Sequence, residues 1–309
     1  MKRWTAHGII ALATIVFVGL GYLEVAYIAS APPSPTLADV PYEPSEAQRF
    51  DVWKPAGASP FPMVLAVHGG AFLFGDKRSH DGLKEDINLL VANGIAVVST
   101  NYRLSGEAKF PAAAQDVAAA LAELRRQGPS LGLDPNRVAL WGKSAGANLA
   151  LLVGLAGGRS PIGNGTKLPV VVIVAMYPPV GFDVMDDQLR NSACGVGSAD
   201  HGKADSPESQ WLGGELKSRP DLVAAASPLT CIGPSSPPVL VQAGSADCMV
   251  PHQHSEMLAA ALGKAGVSVR LDILPDATHI DPKFNQTDNL KTVLASLKRV
   301  FSAPTKVER

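Results

Sequence analysis

Charge of one sign is not in excess anywhere in this sequence. The 27 Lys and Arg residues and the 28 Asp and Glu residues give a formal net charge of -1 at pH 7, and they are spread along the chain rather than gathered in runs. A basic patch of the kind that binds nucleic acid or an anionic membrane surface is therefore missing. We expect a small, fairly neutral ligand and no nucleic-acid partner.

Cysteine is also scarce. Cys194, Cys231 and Cys248 are the three cysteines of the chain, a number that fits one disulfide and one remaining thiol in an oxidising compartment. The sequence leaves all three pairings open. A bridge at Cys248 would stiffen the loop that carries the neighbouring Asp247, and a buried free thiol is an equal alternative there.

The N-terminus carries a long apolar run. Lys2 and Arg3 precede apolar residues from Gly8 to about Leu23, and small residues follow up to Ala31. This pattern predicts a signal peptide over residues 1–31, with a plausible cleavage point after Ala31. A retained anchor is a rival, since the run is close to the roughly 17 residues that span a bilayer, and a helix of the core is the alternative without export. Either export signal would leave the folded body outside the cytoplasm, periplasmic, secreted or anchored by one N-terminal helix.

The rest of the chain alternates between two patterns. After a linker predicted at 32–42, rich in Pro, Ser and Ala, apolar strand-like runs alternate with amphipathic stretches of helical length. The predicted strands are Met63 to Val67, Ile95 to Thr100, Arg137 to Trp141, Val170 to Met176, Val239 to Ala243 and Val267 to Leu274. The predicted helices are Asp81 to Ala92, Pro111 to Gln127, Ala145 to Ala156, Pro251 to Ala265 and about Asp288 to Phe301.

This alternation predicts one domain over 43–303 with an α/β fold. Its central sheet should be mostly parallel and covered by helices on both faces, because most of the strand runs are apolar without polar alternation. The segment at about 178–233 breaks the pattern with Gly, Pro, Asp and Ser. We interpret it as a small cap-like insertion on the substrate side of the sheet.

The sharpest motif is Gly-Lys-Ser-Ala-Gly at 142–146. It directly follows a predicted strand and directly precedes a predicted helix, the setting of a nucleophile elbow, in which glycines beside the serine let strand and helix approach closely. The structural alternative is a glycine-rich turn whose serine caps the helix. The flanking elements favour Ser144 as a catalytic nucleophile.

A serine nucleophile needs a base, and the base needs an orienting acid. Asp247 lies just past the predicted strand ending at Ala243, and His279 lies just past the one ending at Leu274. Both would project from the carboxyl ends of strands, where parallel sheets assemble their sites. We predict Asp247 as the acid and His279 as the base, while Asp276 and Asp281 are weaker candidates for the acid.

The attack on a carbonyl creates an oxyanion that needs N–H donors. His-Gly-Gly-Ala-Phe at 68–72 follows the first predicted strand and matches the His-Gly-Gly type of oxyanion loop. We predict the backbone N–H groups of Gly69, Gly70 and Ala145 as the donors. His68 is interpreted as a structural residue that holds the loop.

Other polar residues are interpreted as parts of the scaffold or surface. His252 and His254 follow Pro251 in a predicted first helical turn, but no further ligand stands at metal spacing, so we expect two histidines on an exposed turn and no metal. Asp183, Asp186 and Asp187 in the insertion are expected to be solvated. No cofactor is predicted.

With these motifs in this order, the chain resembles the alpha/beta hydrolase superfamily, and within it the esterases related to hormone-sensitive lipase and the BD-FAE-type carboxylesterases. The resemblance runs from about Tyr42 to Phe301 and implies that Tyr102, Arg103 and Asp116 belong to the scaffold. The chain departs from many relatives at three positions near the site, which are Ala71, Lys143 and Ala147.

The resemblance implies hydrolysis of carboxylic esters, with short or medium acyl groups, through an acyl-enzyme. An arylformamidase or other amidase and a prolyl-oligopeptidase-like peptidase use related machinery, although the propeller domain of the latter is missing here. A hydrolase fold that binds without catalysis is the rival from another class. The oligomeric state is left open.

Overall fold

The computed structural model describes residues 31–78, 81–156, 162, 170–194 and 200–302. The signal peptide or anchor predicted over 1–31 lies outside the described residues except for Ala31. The described residues from Ser34 onward belong to one compact unit. In the described ranges, no helix is long and apolar enough to cross a membrane.

An eight-stranded sheet runs through the described part of the chain. Its strands are β1 (Leu37–Pro41), β2 (Arg49–Trp53), β3 (Phe61–Val67), β4 (Ala96–Thr100), β5 (Leu133–Lys143), β6 (Val172–Met176), β7 (Val239–Gly244) and β8 (Val269–Leu274). Their order across the sheet is β1-β2-β4-β3-β5-β6-β7-β8. β3 to β8 pair in parallel, while β2 runs antiparallel to both β1 and β4. The predicted mostly parallel sheet is therefore confirmed.

The first two strands were not expected from the sequence. Residues 37–41 were predicted as part of a linker, and this prediction is wrong because β1 pairs with β2 at the edge of the sheet. The strand is short and largely exposed. Its register shifts between Leu37 and Val40, so its residues show none of the apolar periodicity that identifies a buried strand.

Helices cover both faces of the sheet, as predicted. They are α1 (Leu83–Ala92), α2 (Ala112–Gln127), α3 (Ala145–Ala156), α4 (Met185–Arg190), α5 (Pro207–Leu212), α6 (Pro220–Ala225), α7 (Gln253–Lys264) and α8 (Thr287–Phe301). One apolar core packs α2, α3 and α7 against one face, and a second packs α1 and α8 against the other. Alternate residues of β3 enter the two cores, since Leu65 belongs to the first and Val64 to the second.

The segment between β6 and β7 contains the short helices α4, α5 and α6 and adds no strand to the sheet. This is the cap-like insertion predicted at about 178–233, of which residues 195–199 are outside the described ranges. It packs into the first core through aromatic contacts. The ring of Trp211 stacks on Phe72, with ring centroids 3.8 Å apart, so the insertion is anchored beside the loop that follows β3.

Candidate active site

The turn between β5 and α3 holds Ser144 in a strained conformation. Its φ of 53° lies in the left-handed region, which a non-glycine residue seldom adopts. A Cβ at Gly142 would come within 2.2 Å of the Gly146 carbonyl oxygen, and a Cβ at Gly146 would come within 2.2 Å of the Val67 carbonyl oxygen. Both glycines are therefore required for the close approach of β5, α3 and the end of β3.

Three side chains from three loops meet at the carboxyl edge of the sheet. The Ser144 Oγ lies 3.0 Å from Nε2 of His279, and Nδ1 of the same ring lies 2.7 Å from Oδ2 of Asp247. The Asp247 side chain is fully buried, and the imidazole is 4% exposed. A carboxylate only accepts hydrogen bonds, so Nδ1 carries a hydrogen and leaves Nε2 able to accept the serine proton. This arrangement can activate a hydroxyl as a nucleophile.

The loops that carry the acid and the histidine are packed backbone against backbone. A Cβ at Gly244 would come within 2.1 Å of the Ala277 carbonyl oxygen, which accepts a hydrogen bond from Ala246 N at 3.0 Å. The second carboxylate oxygen of Asp247 accepts hydrogen bonds from the Met249 and Val250 N–H groups, both at 2.9 Å. These contacts hold the carboxylate where its other oxygen meets the ring Nδ1.

Asp276 and Asp281, the weaker candidates for the acid, have other partners. Asp276 is an exposed turn residue with a φ of 53°. Asp281 accepts hydrogen bonds from the Lys283 N–H at 2.9 Å and the Thr278 N–H at 3.1 Å, and so it caps the short 3-10 helix after the histidine. The structure brings neither carboxylate into contact with His279 among the described contacts.

Tyr177 packs against the imidazole, a contact that was not predicted from the sequence. The residue directly follows β6, has a φ of 43°, and lies edge-on against the His279 ring with 4.7 Å between centroids. Phe284 packs on its other side, with 4.8 Å between centroids. An aromatic residue directly after a buried strand is the one signal that could have indicated it.

The loop after β3 approaches Ser144 through Gly69. A Cβ at Gly69 would lie 3.3 Å from the Ser144 Cβ, and a Cβ at Gly70, where φ is 110°, would come within 2.0 Å of the Phe74 carbonyl oxygen. Ala145 is the first residue of α3, so its N–H has no partner inside the helix. Ala71, which was not predicted as a site residue, lines the cavity beside Ser144.

His68 lies beneath this loop. Its Nδ1 is 2.7 Å from the Gly69 carbonyl oxygen, and its ring stacks on Tyr102 with 4.2 Å between centroids. The Tyr102 hydroxyl donates a hydrogen bond to the His68 carbonyl oxygen at 2.9 Å. Burial lowers the pKa of His68 to about 4, so the ring is neutral at pH 7.

Arg103 and Asp116 form an ion pair through two hydrogen bonds, of 2.8 and 2.7 Å. This pair anchors the loop after β4 to α2.

Lys143, the residue before Ser144, has a buried side chain that is 3% exposed. Its ammonium group makes an ion pair and two hydrogen bonds. Its Nζ lies 2.9 Å from Asp86 Oδ2, and it donates hydrogen bonds to the Asp81 carbonyl oxygen at 2.7 Å and to Asn285 Oδ1 at 3.0 Å. Asn285 belongs to the short helix that follows His279. The lysine therefore ties the nucleophile turn to α1 and to the histidine loop.

His252 and His254 do not lie on one exposed turn as predicted. His254 is fully buried. Its Nδ1 accepts a hydrogen bond from the Val180 N–H at 3.0 Å and so holds the chain after β6. Burial lowers its pKa to about 4. His252 is partly exposed, 3.8 Å from Glu256. In the described ranges, no group of three His, Cys, Asp or Glu residues is arranged to hold a metal ion.

A disulfide joins Cys194 of the insertion to Cys248 of the acid loop, and Cys231 is a partly buried free thiol. Of the three pairings that the sequence left open, the structure has the one between Cys194 and Cys248, beside Asp247. Of the three insertion aspartates expected to be solvated, Asp183 and Asp187 are exposed. The third, Asp186, is instead hydrogen-bonded to His201 at 2.8 Å.

A cavity of 440 Å³ opens beside Ser144. Ala71, Ala145 and His279 line it on the side of the sheet. Its other walls consist of Pro179, Asp200, His201, Lys203, Asp205, Ser206, Pro207, Glu208, Cys248, Met249 and Val250. A carbonyl carbon placed in this cavity could reach the serine hydroxyl, with Ala71 and Ala145 beside it.

Comparison with known proteins identifies the family. The BD-FAE family model matches residues 50–262. The chain belongs to the BD-FAE family. This match and the eight-stranded sheet confirm the resemblance to alpha/beta-hydrolase esterases.

Individual relatives agree with this family. The chain is 30% identical over 255 residues to the esterase LipQ of Mycobacterium tuberculosis, a match covering 78% of this chain and 56% of LipQ. It is 32% identical over 221 residues to an ethyl acetate hydrolase of Pseudomonas putida, covering 70% of this chain and 64% of the relative. The matched region thus spans less than two thirds of either relative's length.

A solved structure shows the same fold. The structure of a truncated carbohydrate esterase from gut microbiota superposes with a TM-score of 0.78 at 23% identity, and the match covers 88% of this chain and all of that one. At this identity the similarity establishes the fold of the BD-FAE chain, and the chemistry has to be argued from its own residues.

Proposed function

We propose that this protein hydrolyses carboxylic esters with short or medium acyl groups, using Ser144 as nucleophile, His279 as base and Asp247 as orienting acid. The Ser144 Oγ attacks the ester carbonyl carbon while its proton passes to Nε2 of His279. The tetrahedral oxyanion is received by the N–H groups of Gly69, Gly70 and Ala145.

The remaining steps restore the enzyme. The tetrahedral intermediate collapses, the bond to the alcohol oxygen breaks, and His279 returns the proton to that oxygen, which leaves an acyl group on Ser144. Water then attacks the acyl carbon with the imidazole again as base, and the carboxylic acid leaves. No cofactor or metal is required in this sequence of steps.

One observation carries the proposal. The continuous hydrogen-bond path from the Ser144 hydroxyl through the imidazole to the buried carboxylate, with distances of 3.0 and 2.7 Å, lies at the wall of a cavity large enough for a small ester. The names of the relatives, an esterase and an ethyl acetate hydrolase, favour esters over the formamides of an arylformamidase.

The test is covalent labelling together with turnover. We expect a fluorophosphonate probe to label the wild-type protein, Ser144→Ala to lose the label, and Ser130→Ala, a change at an exposed serine, to keep it. p-Nitrophenyl acetate and butyrate should be hydrolysed faster than aryl formamides or dipeptide amides. A folded wild-type protein that neither takes the label nor hydrolyses any ester would support the catalytically silent alternative.

The cap-like insertion is proposed to select the substrate, since seven of the nine residues in segment 200–208 line the cavity. Met249 lies outside this segment and also lines the cavity, so Met249→Ala serves as a comparison. Exchange of segment 200–208 for a Gly-Ser linker should change the relative rates on acetate, butyrate and octanoate esters. Unchanged relative rates would contradict this role.

Export from the cytoplasm is proposed on two grounds. The basic residues, apolar run and small residues of the first 31 positions have the pattern of an export signal, and the Cys194–Cys248 disulfide is of a kind that persists in oxidising compartments. Cell fractionation followed by N-terminal sequencing tests this. A full-length protein recovered with reduced cysteines from the cytoplasm would contradict it, while cleavage after Ala31 would distinguish a signal peptide from an anchor.

A further inference from the structure

The loop that carries His279 continues into a short 3-10 helix, Pro282–Asn285. Phe284 of this helix packs on Tyr177, with 4.8 Å between ring centroids, and Tyr177 packs on the imidazole, with 4.7 Å between centroids. The short helix and the catalytic ring therefore share one packing partner. A displacement of the helix would be passed on to the ring through the backbone and through this partner.

The side chain of Asn285, at the end of this helix, joins two groups with opposite requirements. Its Oδ1 accepts a hydrogen bond from Lys143 Nζ at 3.0 Å, and its Nδ2 donates one to Asp81 Oδ2 at 2.8 Å. An ammonium group only donates and a carboxylate only accepts, so one orientation of the amide satisfies both. Gly82 leaves little space beside it, because a Cβ there would come within 2.0 Å of Oδ1.

The ammonium group of Lys143 is fixed independently of this contact. It lies 2.9 Å from Asp86 Oδ2 and donates a hydrogen bond to the Asp81 carbonyl oxygen at 2.7 Å, so Asn285 takes the third of its three hydrogens. Lys143 is the last residue of β5 and directly precedes Ser144. The bond from Lys143 to Asn285 thus ties the residue beside the nucleophile to the end of the histidine loop.

We propose that Asn285 is a positioning residue for the catalytic base, because its bond to Lys143 holds the histidine loop where Nε2 of His279 meets Oγ of Ser144. Proton transfer requires these two atoms to stay within hydrogen-bond distance. Asn285 is not among the described residues that line the cavity, so it acts on the rate of the chemical step and not on substrate binding. This inference rests on the proposed function and adds a residue to it.

The first test removes the tie and leaves the ion pair behind it in place. In Asn285→Ala, Lys143 keeps Asp86 as its partner. We expect kcat on p-nitrophenyl acetate to fall about tenfold while KM changes less than about twofold, since a small misplacement of the base slows the chemistry alone. The matched control is Asn93→Ala, which removes a surface hydrogen bond of the same kind, from Lys298 at 2.8 Å, and should keep the wild-type kcat.

The second test exchanges the two partners of the amide. Asn285→Asp alone keeps an acceptor for Lys143 but sets two carboxylates against each other, so kcat should fall. Asn285→Asp/Asp81→Asn returns a donor to the pair, recreates both hydrogen bonds and has the same net charge as the wild type. We expect the double variant to recover kcat to within about threefold of the wild type, because residues in direct contact are coupled. Failure of the double variant to recover any activity would contradict the proposal.

A third measurement does not depend on turnover. Crystal structures of the wild type and Asn285→Ala give the distance from Ser144 Oγ to His279 Nε2, which we expect to exceed about 3.5 Å in the variant, beyond a hydrogen bond. Asn285→Asp takes its place if Asn285→Ala does not fold. An unchanged distance, or an unchanged kcat in an active enzyme, would overturn the positioning role and leave the esterase intact. A lengthened distance in a protein whose wild type hydrolyses no ester would support the positioning role and contradict the proposed function.

Discussion

Lys143 and Asp86 form a buried ion pair, with 2.9 Å between Nζ and Oδ2, directly behind the nucleophile turn. Neither side chain is more than 6% exposed. Burial raises the pKa of the Asp86 carboxyl to about 6, while the neighbouring ammonium opposes this rise. The pair therefore connects the residue next to Ser144 to α1 by a strong interaction.

Removal of one partner of the Lys143–Asp86 pair should lower the free energy of unfolding. We expect Lys143→Met to lower the free energy of unfolding by about 3 kcal/mol, since an unpaired charge is left buried. Lys143→Met/Asp86→Leu should recover at least half of that loss, because two apolar groups then replace the pair. Urea unfolding followed by circular dichroism measures both values. A single variant as stable as the wild type would show that the pair contributes nothing.

Substitution of the orienting acid should affect the rate more than the fold. In Asp247→Asn, the amide oxygen can keep the hydrogen bonds from Met249 and Val250, which directs the NH₂ group at His279 Nδ1. That nitrogen must then accept, so Nε2 carries the hydrogen and cannot take the serine proton. We expect kcat to fall by about 10⁴ with little change in melting temperature.

Kinetics on p-nitrophenyl acetate and a thermal melt give the two numbers for Asp247→Asn. Asp276→Asn, in an exposed turn outside the described contacts of the imidazole, is the matched control and should retain wild-type kcat. If it lost activity as strongly as Asp247→Asn, the assignment of the acid would have to be revised.

Gly146→Ala should reduce activity, whereas Gly263→Ala should not. The added Cβ would meet the Val67 and His68 carbonyl oxygens at 2.2 and 2.3 Å, so the oxyanion loop or the nucleophile turn must move. We expect loss of solubility or a fall in kcat of about 100-fold, since small displacements of reacting groups have effects of that size. Gly263→Ala in α7 meets nothing within 4 Å.

The Gly263→Ala control should keep full activity and gain up to about 1 kcal/mol from the better helix propensity of alanine. Denaturant midpoints and steady-state rates measured side by side decide the comparison. Equal behaviour of the two variants would mean that the close contact at Gly146 tolerates a methyl group.

Acid should destabilise the protein through its buried histidines. The pKa of His254 is about 4 in the folded chain and about 6.5 when unfolded. Between these values the unfolded chain binds a proton that the folded chain does not, so the unfolding free energy falls as the pH falls. From pH 7 to pH 5 the loss is about 2 kcal/mol for this group, and His68 acts in the same direction.

His254→Asn keeps an acceptor for the Val180 N–H without titrating. We expect the drop in unfolding free energy between pH 7 and pH 5 to be about 2 kcal/mol smaller in this variant than in the wild type. The raised pKa of Asp86 acts in the opposite direction in both proteins and cancels from the comparison. Parallel pH profiles would contradict this account of His254.

The sequence predicted the elements whose residues are buried on both faces. The runs of β3 to β8 and the helix beginning at Ala145 are found within a few residues of their predicted limits, because continuous apolar stretches and glycine signals are local. β1 escaped detection, since an exposed, bulged edge strand is specified by its partner β2 rather than by its own pattern.

The side chains that meet at the site were also indicated by local signals, since each follows a strand. The residues that surround these side chains were not indicated by the sequence. Tyr177 beneath the imidazole, the buried His254 and the enclosed Glu208 depend on packing between segments far apart in the chain, and the choice of Cys194 as partner of Cys248 depends on where the insertion folds. Such contacts leave no periodicity to detect.

The two walls of the catalytic cavity are held in different ways. On the sheet side, glycine backbones at 69 and 146 pack directly on neighbouring carbonyl groups, so that wall has almost no freedom to vary. Across from it, the residues from Asp200 to Glu208 contribute side chains. A combinatorial library confined to that short stretch should therefore yield new selectivities while Ser144, His279 and Asp247 keep their arrangement.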